Sequence, residues 1–151
     1  WGYFLYLYCI KNKIQNIIFM NFQNEIIKGI KGLSNNVGYI TSLDWWCFSY
    51  DKFQMVYIPD MGSDTIRICI PHFDKLEKYD FHLLISAINE INRKVKYVKI
   101  VALKNGSISI NYDHKYCGRN NNIDVILSHI LQTLCFAANT LKAKLSRQTS
   151  F

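Results

Sequence analysis

The sequence predicts one α+β domain in two layers, an antiparallel five-stranded sheet packed by helices in the order α-β-β-β-α-β-β-α. Apolar residues recur at helical spacing in three separate stretches, and five runs rich in β-branched and aromatic residues lie between them. Short gaps between those runs hold turn residues, with Asn105-Gly106 the strongest hairpin signal.

From Asn21 the positions Phe22, Ile26, Ile30 and Leu33 fall on one helical stripe, and Gly32 with Ser34-Asn35-Asn36 predicts the stop of a short first helix. Strands are predicted over Asp44 to Tyr50, Phe53 to Ile58 and Thr65 to Ile70, the last ended by Pro71. Asp51-Lys52 and the Pro59-to-Ser63 stretch separate them with turn chemistry, which makes an antiparallel meander. Asp80 to Asn92 carries Phe81, Leu84, Ile85, Ile88 and Ile91 on one stripe, with Asp80 placed to cap the helix. Tyr97 to Leu103 and Ser107 to Tyr112 form the hairpin around Asn105-Gly106. Ile123, Ile126, Leu127, Ile130, Leu134, Ala137, Ala138 and Leu141 define a long closing helix that starts from the Asn120-Asn121-Asn122 run.

Alternation places Ile66, Ile68, Ile70, Val98, Ile100, Ile108 and Ile110 on the helix-covered face. On the same count Arg67, Lys99, Ser107, Ser109 and Asn111 take the reverse face, and they share it with Phe53, Met55, Tyr57, Tyr97, Val101 and Leu103.

At 151 residues the chain has the length of one domain. Half of it is apolar and only 19% charged, which excludes a disordered class. The net charge of +7 gathers at the ends: Lys11 and Lys13 precede every acid, and Lys142, Lys144 and Arg147 follow the last one. Lysines closing a helix complement its dipole, so the balance does not by itself require nucleic acid. Cys9, Cys47, Cys69, Cys117 and Cys135 are odd in number and lack close ligand spacing, which points to reduced thiols in a reducing, cytoplasmic setting.

Residues 1–19 stand apart, with no acid, no proline and a nearly unbroken aromatic and aliphatic run before Lys11. The lysines follow the apolar run, unlike the arrangement in a secretory signal. The expected organisation is an N-terminal extension over 1–19, a domain over 20–146 and a tail over 147–151, with translation starting at Met20. A membrane partner is expected only if 1–19 is the truncated end of an anchor.

The stretch Ile66-Arg67-Ile68-Cys69-Ile70-Pro71, and the run from Ala87 to Lys99 that reads AINEINRKVKYVK, resemble the YbjN-like proteins. These are bacterial sensory-transduction regulators with the type III secretion chaperone-like fold. The resemblance covers about residues 21 to 145. It implies a domain, often dimeric, that binds proteins or buffers their folding, and it transfers no catalytic residue. The Trp45-Trp46 pair with Phe48 is more aromatic than that family's pattern.

Candidate chemistry is sparse. His114, Cys117 and nearby Asp113 hold the residue types of a thiolate and its base, but no oxyanion loop accompanies them. His72, Asp74 and His82 match no recurrent metal spacing, and His129 falls on the polar side of the closing helix. Asp51, Asp60, Asp64 and Asp113 sit in or beside turns, where aspartate caps backbone. No catalytic residue, cofactor or metal site is predicted. The expected partner-binding set is Trp45, Trp46, Met55, Tyr57 and Tyr97, because rings on both parities of a strand cannot all enter one core layer. The functional expectation is a non-enzymatic chaperone-like or adaptor domain acting as a homodimer. Single-stranded nucleic-acid binding through the basic C-terminal helix and exposed rings is the alternative.

Overall fold

A computed structural model describes residues 1–60, 64–116 and 122–148. The elements are α1 (Gly2–Leu33), β1 (Asn35–Ile40), β2 (Trp45–Tyr50), β3 (Phe53–Ile58), β4 (Thr65–Lys75), a 3-10 turn (Leu76–Lys78), α2 (Phe81–Lys94), β5 (Val98–Ala102), β6 (Ser107–Lys115) and α3 (Ile123–Gln148). The architecture is α+β, with three helices and one open antiparallel sheet in the order β1-β2-β3-β4-β6-β5.

Two expectations at the N-terminus are corrected. The first helix is 32 residues long and runs through residues 19 and 20 without a break. The run before Lys11 lacks glycine beyond Gly2 and lacks proline, so nothing in it stops a helix. Burial begins further along: Phe22 and Leu33 are half-covered, and Ile26, Ile27, Gly29 and Ile30 are buried against the core. The second correction is a sixth strand. β1 follows Ser34 directly and pairs with β2 from Ile40↔Trp45 to Asn35↔Ser49 across an irregular step, with Asn36 taking the extra backbone bend at φ 55°. Tyr39 closes the β1–β2 turn by donating to Asp44 Oδ1 at 2.7 Å.

β2 and β3 form the expected hairpin, with Asp51 in the left-handed region at φ 53°. β4 does not end at Pro71. Its pairing to β6 shifts register between Ile70 and Asp74 and then resumes to Lys75, so Pro71 sits in a bulge where no ladder donor is needed. The β5–β6 turn uses Gly106 at φ 84°, and Asn105 Oδ1 accepts from Ser107 Oγ at 2.6 Å.

Asp80 caps α2 by accepting from the Leu83 amide at 3.1 Å. Asn122 starts α3 by accepting from the Asp124 amide at 2.9 Å, while Asn120 and Asn121 lie outside the described residues. α3 packs on α1, on α2 and on the central strands β4 and β6, and it carries buried Leu127, Ile130, Leu131, Leu134, Ala137, Ala138, Leu141 and Leu145. α1 approaches α3 closely at Gly29, where a Cβ would stand 2.5 Å from Leu127 Cδ1. By length and composition α3 has the measure of a membrane span, but 44% of that window is buried inside the domain.

The core lies between the sheet and the helices and contains the predicted isoleucine face: Ile66, Ile68, Ile70, Val98, Ile100, Ile108 and Ile110. Tyr112, Phe48, Met55 and Tyr57 complete it. Lys144 crosses from α3 to Glu90 of α2 at 2.7 Å, and Lys94 holds the other Glu90 oxygen at 2.6 Å.

Candidate functional site: the open face of the sheet

Directly opposed residues in an antiparallel pair share a face, so the register fixes what each side presents. One row crosses all six strands on the side away from the helices: Gly38, Cys47, Val56, Cys69, Asn111 and Lys99. A second row holds Ile58, Arg67 and Asp113, and Ile40 opposite Trp45 extends the same face at the β1 end. The face therefore carries an apolar row from Gly38 to Cys69, bordered on β2 and β3 by the Ser49–Gln54 pair and on β4 by Arg67, and it is mainly polar over β6 and β5, where Val101 is the apolar exception. Arg67 Nε donates to Asp113 Oδ1 at 2.7 Å, and both side chains are about half exposed. That carboxylate raises the guanidinium's affinity for its proton.

Val56 and Cys69 are nearly inaccessible, at 6% and 5% exposed. Burial, opposed by the Arg67 charge and aided by that of Asp113, pushes the Cys69 thiol up to about 12. It is a small apolar group at neutral pH and has no thiolate character.

The five residues expected to bind a partner are divided among three places. Trp45 alone lies on the open face, half-buried beside Ile40. Trp46 opposes Tyr57 and so belongs to the helix side, where it meets the Tyr39 ring at 5.1 Å and lies under the Lys31 ammonium at 5.5 Å. Met55 and Tyr57 are core residues, each 1% exposed, and this corrects their assignment to the reverse face. Tyr57 opposes Ile68 and Met55 opposes Phe48, which places both under the helices. Parity cannot be carried by residue number across the loop between β3 and β4, since the pairing sets the phase afresh. Phe53 follows the same correction through its pairing with Tyr50. Tyr97 is 67% exposed at the sheet edge, in a left-handed conformation at φ 67°, with its ring 6.1 Å from that of Tyr112.

The catalytic and metal candidates are not assembled. His114 opposes Ile66 on the helix side and stacks on Tyr112, and its imidazole is held below the ordinary range by burial and then by the nearby charge of His129. Asp113 points to the opposite face, so the two cannot form a relay. Cys117 lies outside the described residues. Asp74 is engaged by Lys78 at 2.7 Å, by the Tyr79 hydroxyl and by the Lys75 amide. Burial opposes its charge, but these three bonds keep its carboxyl below the usual range. Among the described residues no group of three metal-ligating side chains comes together. A shallow cleft of about 840 Å³ between the end of β4 and the β5–β6 turn is lined by His72, Asp74, Asn105 and Ser107 and gathers no nucleophile with a base.

One residue in the AINEIN phrase has a role that sequence reasoning missed. Asn92 reaches from the last turn of α2 to the outer edge of β5, where its Nδ2 donates to the Ile100 carbonyl at 3.0 Å and its Oδ1 accepts from the Ile100 amide at 2.7 Å. The side-chain amide stands in for one residue of a further strand and blunts that edge. Compared with protein-family models and with curated proteins, the chain matches none.

Proposed function

We propose that the chain is a non-enzymatic protein-binding domain of chaperone-like or adaptor type, and that its docking surface is the open face around Ile40, Trp45 and Ile58. One observation carries this reading: among the described residues the helices pack on one side of the sheet, and the other side presents half-exposed Ile40, Trp45 and Ile58 with no described element packed on them. Burying what these side chains still expose against a client gains roughly 25 cal/mol per Å² of apolar surface and needs no chemistry. The polar flank formed by Arg67, Asp113, Asn111 and Lys99 orients the client without dominating affinity.

The element order supports a chaperone-like fold of the type III secretion class. It matches the expected α-β-β-β-α-β-β-α once β1 is counted as a strand added at the sheet edge. Membership in the YbjN-like family and a homodimeric, cytoplasmic state belong to the same proposal. Nucleic-acid binding through the C-terminal helix is less favoured, because Lys144 is tied to Glu90.

The test is suppression of aggregation of a reduced, unfolding model client, followed by light scattering. The wild-type chain should lower the scattering at near-stoichiometric ratio. Ile58→Lys combined with Trp45→Ser should lose that effect while keeping the wild-type unfolding midpoint. Equal protection by the variant would place docking elsewhere.

A further inference from the structure

The first twenty residues of α1 project from the domain with most of their apolar side chains in water: Tyr3 is 73% exposed, Leu7 46%, Ile14 51% and Ile17 58%, while Ile10 and Phe19 are half-covered. With Ile10 and Asn21 these positions step by four and three residues in strict alternation, the spacing of a coiled-coil seam. Tyr3, Ile10 and Ile17 fall at d, and Leu7, Ile14 and Asn21 at a. We propose that residues 3–21 of α1 form a parallel two-stranded coiled coil with a second copy of this chain.

The flanking positions fit two copies side by side. In a parallel pair each g residue faces the e residue of the following heptad on its partner. That matches Tyr6 with Lys11 and Lys13 with Ile18, so the two lysines of each helix meet a ring or an aliphatic side chain and never each other. Asn21 at a supplies the single buried polar pair that fixes register and strand number. The domains also have room. Ile26 follows Ile17 by nine residues, which at 3.6 residues per turn is two and a half turns, so the stripe that packs on α3 points away from the seam. Each domain then hangs on the outer flank of the pair.

A lipid surface would cover the run before Lys11, but it would leave Ile14, Ile17 and Ile18, beyond the lysines, exposed to water. The seam continues through Ile14 and Ile17, with Ile18 on its flank, which favours the second copy. The inference takes only its stoichiometry from the homodimer reading above and does not depend on which sheet face binds clients.

The test is multi-angle light scattering on the full chain at high micromolar concentration. The wild-type protein should run at twice its 17.7 kDa mass, and Ile14→Glu with Ile17→Glu should halve the measured mass without changing the unfolding midpoint, since both positions are exposed in one copy. Oxidation should cross-link Ile17→Cys across the seam and leave Asn12→Cys, on the outer side, uncross-linked. A dimer that survives the double glutamate variant overturns the inference while leaving a sheet-mediated dimer standing. A wild-type monomer, including one that co-sediments with phosphatidylcholine–phosphatidylserine vesicles, also overturns it. So does equal cross-linking of the two cysteine variants.

Discussion

Replacing Asn92 by leucine removes two hydrogen bonds, and the structure sets the scale of the loss. Ile100 is 2% exposed and sits in the edge strand, so water reaches its freed amide and carbonyl poorly. A protein hydrogen bond contributes about 1 kcal/mol net, and a buried group left unpaired costs about 1–3 kcal/mol. Two bonds to one half-shielded peptide unit therefore amount to about 2–3 kcal/mol. For a domain of this size each kcal/mol moves the midpoint by about 2–4 °C, so a fall of roughly 4–12 °C is expected. Urea unfolding gives the free energy, and hydrogen exchange at the Ile100 amide reports the bond itself. Asn92→Asp sharpens the test. Its carboxylate still accepts from the Ile100 amide but opposes the Ile100 carbonyl, so its deficit should shrink in acid, where a protonated carboxyl can donate. An Asn92→Leu variant within about 0.5 kcal/mol of wild type, with Ile100 exchange unchanged, would refute the reasoning.

Tyr97→Asn should raise stability by about 0.5–1 kcal/mol in urea unfolding, because asparagine tolerates the left-handed backbone that tyrosine occupies under strain. Asp80→Ala should cost about 1 kcal/mol through loss of the cap on the Leu83 amide, and Asp80→Ser should recover most of it. Gly29→Val should cost about 1–3 kcal/mol by forcing α1 off Leu127, visible as a lowered melting temperature. Lys144 and Lys94 depress the Glu90 carboxyl from 4.5 to about 2, so its contribution is complete above pH 4.5 and disappears as pH falls through 2. Glu90→Gln should flatten that part of the acid limb, and an acid limb unchanged in the variant would contradict it.

The helix side of the sheet was legible in the sequence because Ile66, Ile68 and Ile70 lie in one strand and Ile108 and Ile110 in another, each with a clean period of two. The open face was legible only in part. Arg67, Asn111 and Lys99 lie there as expected, but Met55 and Tyr57 do not, since the phase of β3 relative to β4 is set by the Tyr57↔Ile68 pairing and leaves no local mark. β1 escaped notice because Asn35, Asn36 and Gly38 are poor strand formers, and pairing to β2 overrides that preference. Pro71 read as a stop, yet a bulge accommodates it. Asn92 left a faint signal, an amide at the end of a helix that runs almost directly into a strand, but a bond between helix and strand edge becomes visible only when both are in place.

The claim that a client docks on the uncovered side of the sheet is tested most directly by hydroxyl-radical footprinting of the chain with and without an unfolded model client. Trp45 on that side should lose reactivity on binding, while Phe81 of α2 and Phe136 of α3, both exposed on the helical layer, should react as before. Protection of Phe81 or Phe136 with Trp45 unchanged would contradict the account.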